Sequence, residues 1–348
     1  MSHKIVSSRQ LSENVFTAEV EASLIAGARK PGQFVIISIN NEYGERIPLT
    51  IADADPARGT IRLIWQRVGK TTSELSALKT GDTIASVAGP LGCPTHIEKF
   101  GTVVCVGGGI GNAPLLPIAK ALRQAGNKVI GILGARNKEL LILEDEFAKI
   151  SDELIITTDD GSYGRKTLVT EPLKEVCQRN PRPDQAFVIG PAIMMKFCCD
   201  VTRQFNVPTQ VSLNTIMVDG TGMCGGCRVE IDGKPKFVCV DGPEFDGHKV
   251  NFDLMMKRLN AYKDLEKRAI LRELMSGPGA LWSLEEIKHN NNGKGNWIKY
   301  ENTADEIFKG LYGLYGVKTS QEFYSKVSVD QMKNGARILW EREYGEIK

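Results

Sequence analysis

The chain has 348 residues, enough for two or three domains with their own hydrophobic cores. Its formal net charge of +2 argues against a broad surface for nucleic acids or anionic membranes. No stretch approaches the ~20 apolar residues of a membrane span, and the N-terminus lacks the apolar core of a signal peptide. We therefore expect a cytosolic, reducing location, in which the eight cysteines bind metal or stay reduced.

Residues 1–98 have the pattern of a small antiparallel β-barrel. Residues 15–22 and 59–65 carry apolar side chains at roughly alternate positions. The turn pairs Pro31-Gly32 and Gly81-Asp82 introduce further short strands at 33–39 and 83–87. Many short strands at this spacing are typical of a barrel.

Two polar segments in this region suit phosphate groups. Arg46 and Thr50 combine a guanidinium with a hydroxyl at a strand end, a pairing that binds phosphate well. Residues 66–72 bring a glycine, two hydroxyls and a lysine close together without the Walker spacing. By itself the segment from Arg46 to Thr50 more commonly means an exposed arginine beside a turn. Only the combination of the two segments indicates a dinucleotide.

Residues 99–205 alternate between strands and helices, which predicts a doubly wound nucleotide-binding domain. A continuous apolar run at 102–106 ends in a glycine-rich run at 107–111, and a helix follows from Pro114 to about Ala125. Backbone N–H groups at such a strand–helix turn bind a pyrophosphate, although glycines there also serve tight packing. Asn112 stands where a strict G-x-G-x-x-G motif has glycine. Arg136 follows the second strand, where an acidic residue usually binds the ribose, so NADH and NADPH both remain open.

Residues 206–250 contain the most specific motif of the chain. Cys224, Cys227 and Cys239 follow the C-x4-C-x2-C…C spacing of two-iron, two-sulfur clusters, with Asp219 in the place of the first cysteine. Zinc also binds thiolates in C-x2-C loops, but a zinc ribbon usually has two such pairs and this chain has one. Asp219 is the expected fourth ligand, and His248 is the alternative.

The remaining residues predict helices. Residues 251–275 form an amphipathic pattern, and residues 276–348 are a C-terminal extension with one or two helices at about 320–345. The catalytic modules are complete without this extension. We therefore favour a contact with a partner subunit over packing on the chain's own domains.

The three modules together resemble the ferredoxin–NADP reductase superfamily. Residues 212–229 are similar to its electron-transfer subunits, which include the dihydroorotate dehydrogenase electron-transfer subunit. The similarity is greatest to the small, FAD and 2Fe-2S subunit of NADH-dependent reduced ferredoxin:NADP oxidoreductase, also called sulfide dehydrogenase. It extends from the N-terminus to about residue 275.

The resemblance implies three sets of site residues. Those implied for FAD are Arg46, Leu49, Thr50, Ile64, Gln66, Gly69, Lys70, Thr71 and Thr72. Those implied for NAD(H) or NADP(H) are Gly107, Gly108, Gly109, Ile110, Gly111, Arg136, Asp159, Gly190 and Pro191. Those implied for the 2Fe-2S cluster are Asp219, Cys224, Cys227 and Cys239, the aspartate being a mark of this subgroup. The arginine stands four residues before the hydroxyl rather than the usual three, which leaves its phosphate contact open.

The implied activity is that of an NAD(P)H-dependent flavin oxidoreductase subunit without a catalytic acid or base. Hydride would pass from NAD(P)H to FAD, and single electrons would pass through the cluster to or from a larger subunit with a second flavin and four-iron clusters. Electron bifurcation with ferredoxin as a further partner is the implied overall reaction, with no nucleic acid or membrane involved. The alternatives are a structural or regulatory subunit with a vestigial nucleotide site and a zinc-bearing NAD(P)-binding module.

Overall fold

The computed structural model describes residues 2–40, 45–262, 305–317 and 329–344, together with Arg268, Leu271 and Lys326. The chain divides into two compact units, each described by itself. The first comprises Met1–Gln66 with Glu74–Arg258, and the second comprises Arg67–Ser73 with Leu259–Lys348.

The N-terminal part of the first unit is a nearly closed antiparallel barrel. Its strands are β1 (His3–Ser12), β2 (Val15–Glu21), β3 (Phe34–Ser38), β4 (Ile47–Asp55), β5 (Thr60–Gln66), β6 (Thr83–Ile84) and β7 (Ser86–Leu91), with helix α1 (Ser23–Ala28). The strand order is β6-β1-β2-β5-β4-β3-β7. Only Ala85 separates the edge strands β6 and β7, so the two edges of the sheet lie next to each other. The single strand predicted at 83–87 is therefore two strands, one at each edge of the sheet. Val20, Val35, Leu63 and Trp65 lie in the core, and the predicted barrel is confirmed.

The second sheet is the predicted doubly wound layer. Its strands are β8 (Thr102–Gly108), β9 (Lys128–Ala135), β10 (Glu153–Thr158), β11 (Arg165–Lys166), β12 (Gln185–Ile189), β13 (Thr209–Ser212) and β16 (Glu244–Asp246). The helices around it are α3 (Asn112–Gln124), α4 (Glu144–Ile150), α5 (Thr170–Cys177) and α6 (Ala192–Gln204). The order is β11-β10-β9-β8-β12-β13-β16, parallel except for the antiparallel pair of β13 and β16. The sheet therefore continues beyond residue 205 through two further strands.

Cys224, Cys227 and Cys239 lie in a segment that connects β13 to β16 outside this sheet. This cysteine segment, residues 213–243, contains the antiparallel hairpin of β14 (Arg228–Ile231) and β15 (Lys234–Phe237) and the short helix α7 (Val238–Asp241). Helix α8 (Phe252–Leu259) follows β16 and covers the first part of the helix predicted at 251–275. Most of the later residues of that predicted helix lie outside the described residues.

Charged side chains join the barrel to the parallel sheet. Lys120 of α3 places its Nζ 2.8 Å from Asp53 Oδ2 of β4 and 3.6 Å from Glu146 Oε2 of α4. Arg29 lies 3.1 Å from the same aspartate, and Arg62 of β5 lies 2.8 Å from the same glutamate. We refer to these five residues as the interface network.

An apolar cluster continues the same interface. Val15, Ala52 and Ile64 of the barrel pack with Ala113 and Ile142 of the parallel-sheet layer, and all five are buried. Burial of apolar surface on both partners holds the two layers together without directional requirements. The interface network adds contacts that depend on orientation, because each charged group lies opposite a partner of the other sign.

The pKa of Asp53 is lowered by this arrangement. Burial alone would raise it, but the hydrogen bond and charge of Lys120, the N–H of Ala54 and the charge of Arg29 together outweigh burial. Because the folded-state pKa lies below the ordinary value, the carboxylate stabilises the fold above that value. The stabilisation is lost as the pH falls through the lowered pKa.

In the second unit two helices pack against each other. They are α9 (Asp305–Tyr315) and α10 (Val329–Tyr344). Gly335 of α10 faces Leu311 and Tyr315 closely enough that a Cβ at this position would lie 2.8 Å from Leu311 Cδ2. The predicted helical extension is thereby confirmed for the described part of residues 276–348. None of the helices among the described residues is long and apolar enough to span a bilayer.

The interface network generates a first prediction. Lys120→Met is expected to reduce the free energy of unfolding at about pH 7 by about 1–3 kcal/mol, because two carboxylates lose a shared cation. The difference from wild type should shrink as the pH falls through the lowered pKa of Asp53, because the protonated acid no longer attracts the ammonium group. Urea unfolding at several pH values measures both effects.

Lys196→Met is the matched control, since Lys196 pairs at 2.7 Å with a largely exposed Asp253. An exposed pair contributes only about 0–1 kcal/mol. Equal losses in the two variants would show that the interface network has no special role.

Candidate functional site

The carboxyl ends of the parallel strands form a glycine-lined crevice at the point where the strand order reverses. β9 lies on one side of β8 and β12 on the other, which is where doubly wound sheets bind ligands. After β8 the main chain forms a tight 3-10 turn, Gly109–Gly111, and enters α3. After β12 the chain passes through Gly190 and Pro191 into α6.

These two turns touch through their main chains. A Cβ at Gly111 would lie 2.3 Å from the carbonyl oxygen of Ile189, and one at Gly108 would lie 2.3 Å from Met194 Sδ. Gly107 and Gly190 are equally crowded, with Cβ contacts of 2.1 and 2.4 Å. The structure thus brings together the predicted residues of the two turns. It requires glycine most strictly at Gly111, whose Cβ would meet main-chain atoms, whereas Gly108 and Gly190 face the flexible Met194 side chain.

Gly109 differs from its neighbours. It has φ +57°, a left-handed conformation that favours glycine, and a Cβ there would meet nothing within 4 Å. A bare main chain beside open space at the start of a 13-residue helix is a suitable place for a phosphate group.

Arg136 and Asp159 lie further along the same edge, directly after β9 and β10, and both side chains are exposed. Their main chains are joined, since the N–H of Asp159 donates to the carbonyl of Ala135 at 3.1 Å. Beyond them Tyr163 donates its hydroxyl to Glu144 at 2.8 Å, and the Lys138 ammonium group lies 5.2 Å from the centre of the tyrosine ring. Sequence reasoning assigned no role to Lys138 or Glu144, because no motif marks them.

The predicted flavin residues of the barrel divide between two faces. Leu49 packs on the barrel core together with Ile47 and Ile51, whereas Thr50 alternates with them and faces the other side of β4. Arg46 immediately precedes β4 and is exposed. Gln66 is the last residue of β5, opposite Val15.

Ile64 belongs to the interface rather than to an open surface. It is part of the apolar cluster between the barrel and the parallel sheet, and Ile110 packs against the same cluster. The structure therefore brings together one residue predicted for FAD and one predicted for the nicotinamide nucleotide. Both side chains hold the two layers in place.

Gly69, Lys70, Thr71 and Thr72 lie in the second unit at the start of α2 (Lys70–Ala77). Thr72 Oγ1 accepts the N–H of Val68 at 3.0 Å and the N–H of Gly69 at 2.9 Å. The hydroxyl thereby organises the turn at the N-terminus of the helix.

The cysteine loop, residues 219–227, is organised by Asp219. Its carboxylate accepts the N–H groups of Thr221 and Met223 at 3.1 Å and of Cys224 at 2.9 Å. The N–H of Thr221 is the main cause that lowers the pKa of Asp219, with further contributions from the N–H and thiol of Cys224 and the N–H of Met223. The carboxylate is therefore an anion anchored by its own loop.

The four predicted metal ligands are arranged as two pairs. Cys224 Sγ lies 3.4 Å from Asp219 Oδ1, and Cys227 Sγ lies 3.2 Å from Cys239 Sγ. Two donors for each of two ions is the arrangement that a two-iron cluster requires. Within the described residues no three His, Cys, Asp or Glu side chains are grouped as ligands of a single ion.

The two pairs differ in environment. Cys227 and Cys239 are buried, whereas Cys224 is exposed. Burial and the neighbouring Cys227 raise the pKa of Cys239 to about 12, so this thiol ionises readily only when a cation binds. His248, the alternative ligand, lies with its Nε2 2.9 Å from the hydroxyl of Thr202 on α6.

The cysteine loop rests directly on the barrel. Gly220, with φ +74°, packs so closely that a Cβ would lie 2.7 Å from Ile36 of β3 and 2.9 Å from Leu91 of β7. The cysteine segment also carries three exposed apolar side chains, those of Met223, Val218 and Val240.

Comparison with known proteins identifies the family. Residues 214–251 match the iron–sulfur cluster binding domain of dihydroorotate dehydrogenase B. The dihydroorotate dehydrogenase B (NAD(+)) electron transfer subunit homolog of Thermotoga maritima is 51% identical over 265 residues, covering 76% of this chain and 93% of that protein. The chain belongs to the dihydroorotate dehydrogenase B electron transfer subunit family. The family member of Desulforamulus reducens is 34% identical and matches 71% of this chain and 96% of its own length.

A solved structure agrees with this assignment. A chain from the NADH-dependent reduced ferredoxin-NADP oxidoreductase, described in connection with flavin-based electron bifurcation, has a TM-score of 0.73 and 50% identity. It covers 78% of this chain and 98% of its own length. The Amycolatopsis cytochrome P450 reductase shares the fold at 20% identity, with a TM-score of 0.50 over 59% of this chain and 65% of that chain. The family resemblance predicted from the sequence is confirmed.

Proposed function

We propose that the chain is the electron-transfer subunit of an oxidoreductase, linking NAD(P)H, FAD and a 2Fe-2S cluster to a partner subunit. The observation that carries the proposal is the pairing of four donors into two sets on the surface of a barrel that is fixed to a glycine-lined nucleotide crevice. The family membership supports it. The readings as a zinc module or as a structural subunit gain no support from the relatives.

The crevice fits a nicotinamide dinucleotide. Gly109–Gly111 present bare main chain and a helix N-terminus, which suits a pyrophosphate. Gly190 and Pro191 form the opposite wall, and Arg136 and Asp159 lie where the adenosine end would extend. Arg136 offers a cation to an adenosine phosphate and Asp159 an acceptor to a ribose, so these residues accommodate either nucleotide.

The barrel side fits FAD through cations and hydroxyls. Arg46 and Thr50 carry the types of donor that phosphates require. The resemblance also implies a role in FAD binding for residues 69–72, which the structure describes separately in the second unit. Leu49 and Ile64 direct their side chains into apolar clusters, so we assign them a contribution through shape and main chain alone. When bound, FAD exchanges two electrons as hydride and releases them singly, and a 2Fe-2S cluster carries them one at a time.

We assign Asp219, Cys224, Cys227 and Cys239 as the ligands of the cluster. Main-chain N–H groups already point at the sulfur atoms, since Gly226 donates to Cys224 Sγ at 3.4 Å and Cys239 donates to Cys227 Sγ at 3.5 Å. Hydrogen bonds to ligand sulfur stabilise the thiolate form and raise the cluster potential. The residues of this chain position and insulate its cofactors, and we assign none of them as a catalytic acid or base.

We further propose that the partner is a larger flavin and iron–sulfur subunit and that the complex bifurcates electrons with ferredoxin. The bifurcation described for the structure at 50% identity supports this. We also propose a cytosolic location, since none of the eight cysteines, all of which lie among the described residues, forms a disulfide.

A nucleotide titration tests the main proposal. The purified chain should contain FAD, iron and sulfide, and NADH or NADPH should bleach the flavin absorbance at about 450 nm. Gly111→Ala should weaken nucleotide binding at least about tenfold, because its Cβ would lie 2.3 Å from the Ile189 carbonyl oxygen. Gly27→Ala is the control, since its Cβ would meet nothing within 4 Å. Zinc without iron, or a flavin that neither nucleotide bleaches, would contradict the proposal.

The role of Asp219 has its own test. Asp219→Asn retains an oxygen for the loop N–H groups but loses the anion, so we expect loss of iron or an altered EPR spectrum of the reduced protein. Asp219→Cys should retain the cluster with a different spectrum. Asp241→Asn is the matched control, because Asp241 likewise accepts a loop N–H, from Phe237 at 2.7 Å. An unaltered spectrum in Asp219→Asn would move the fourth ligand elsewhere, with His248 next to be tested.

We propose that the exposed apolar side chains of Met223, Val218 and Val240 contact the partner subunit, in addition to the contact expected of residues 276–348. Met223 is 88% exposed beside the exposed Cys224. Met223→Glu should weaken the complex at least about tenfold and leave the EPR spectrum unchanged. Leu24→Glu, at a 91% exposed position on α1, is the control. Equal affinities for both variants in a titration with the co-purifying subunit would locate the contact elsewhere.

A further inference from the structure

Residues 92–95 follow β7 of the barrel and form a short linker that makes hydrogen bonds to the end of the cysteine segment. The N–H of Cys93 donates to the carbonyl of Gly242 at 2.6 Å, and its thiol donates to the carbonyl of Val240 at 3.2 Å. On the other side the N–H of Thr95 donates to the carbonyl of Pro31 in the barrel at 2.9 Å. We call residues 92–95 together with residues 240–244 the junction. It lies next to Cys239, one of the proposed ligands.

The side chain of Glu244 links the two segments of the junction through a hydrogen bond. Thr95 donates its hydroxyl to Glu244 Oε1 at 2.7 Å. The pair is pressed against the barrel turn at Gly32, where a Cβ would lie 2.3 Å from Thr95 Oγ1 and 2.8 Å from Glu244 Oε1. Gly32 has φ +83°, so both its conformation and its surroundings require glycine.

A cavity of about 210 Å³ borders the carboxyl group. Its lining residues are Cys93, Pro94, His96, Phe100, Gln185, Phe187, Gln210 and Glu244. This volume has room for several water molecules, and its polar lining offers hydrogen-bond partners for them. Water in this cavity would give the Glu244 carboxyl group a path for proton exchange.

Few charges surround the carboxyl group. The linker contributes the thiol of Cys93 and His96, which is exposed and lies 3.1 Å from Glu98. The strands β12 and β13 contribute the neutral Gln185 and Gln210. The barrel turn contributes Lys30, which is exposed, and β16 contributes Asp246, which is 3.6 Å from Lys249.

We propose that Glu244 is a positioning residue that fixes the cysteine segment against the barrel through Thr95, and that the junction loosens when this carboxyl group releases its proton to the cavity. The positioning role of Glu244 stands on these contacts, and the loosening stands on the burial of its carboxyl group. Its consequence for electron transfer rests on the proposed function.

The stability of the junction should fall with rising pH, because an ionised carboxylate is less stable in this environment than the neutral acid. Burial raises the pKa of Glu244 from 4.5 to about 7, and the hydrogen bond from Thr95 opposes this. Because the folded-state pKa exceeds the ordinary value, the stabilisation is fully present below the ordinary pKa. It is lost as the pH rises towards and through the folded-state value. Near neutral pH the junction therefore responds to small changes in proton concentration.

Hydrogen exchange of the linker amides tests the proposal on the intact chain with its cofactors. After correction for intrinsic exchange, protection of the peptide that contains residues 92–95 should fall about tenfold between about pH 6 and about pH 8. Glu244→Gln keeps the shape and an acceptor for Thr95 but has no proton to release, so its protection should stay constant. Asp246→Asn, two residues along the same strand, is the matched control and should behave like wild type.

A second variant distinguishes positioning from simple packing. Thr95→Val removes the hydroxyl that fixes the junction and that lowers the pKa of Glu244. Protection should therefore be lower than in wild type at every pH, and its remaining pH-dependent loss should move to higher pH. The midpoint potential of the cluster, followed by EPR, should depend on pH in wild type and not in Glu244→Gln, since exposure helps to set that potential.

Two results would overturn the proposal. The first is protection that is equally pH-dependent in wild type and in Glu244→Gln. The second is a wild-type junction whose protection does not change with pH. Because hydrogen exchange is read without the cluster signal, either result is separable from a failure of the proposed cluster assignment.

Discussion

Lys120 lies where the barrel meets the parallel-sheet layer, and the relative placement of the two layers depends on this contact. It shares its charge between Asp53 of the barrel and Glu146 of the parallel-sheet layer. The buried apolar cluster that contains Ile64 and Ala113 lies at the same interface. Under the proposed function, a nucleotide on one layer and a flavin on the other would react only if the layers kept a fixed separation and orientation. The interface network supplies that constraint, since charge pairs with defined partners do not slide as apolar surfaces do.

Local patterns predicted much of the fold. The glycine-rich run after β8 and the cysteine spacing are motifs whose chemistry is set by neighbours in sequence, and each lies in the predicted element. β1 was not predicted because its residues are mostly polar and only Ile5 is fully buried. Two further features arise from pairing between distant segments: the break at Ala85, and the pairing of β16 with the parallel sheet. The alternation of apolar residues along one strand does not show which strand it pairs with, so the sequence did not predict them.

The directions of side chains were harder to predict than their positions. The sequence places Leu49 and Thr50 together, but the pairing of β4 with β3 turns one into the core and the other outward. Ile64 and Ile110 likewise meet across an interface that neither segment reveals. The pairing of Asp219 with Cys224 was accessible from spacing, whereas the contact of Gly220 with Ile36 required the barrel to be in place.

The placement of the cysteine segment between two paired strands has a wider consequence. Ser212 of β13 is directly opposite Glu244 of β16, and the N–H of Leu213 donates to the carbonyl of Pro243 at 2.9 Å. The segment therefore leaves and re-enters the sheet at a single point, as an insertion with a closed base. Such an insertion can be lengthened, exchanged or replaced by a short turn without reordering the strands around it. The segment that carries the proposed cluster ligands is thus a self-contained insertion in the sheet, and the order of the parallel strands does not depend on it.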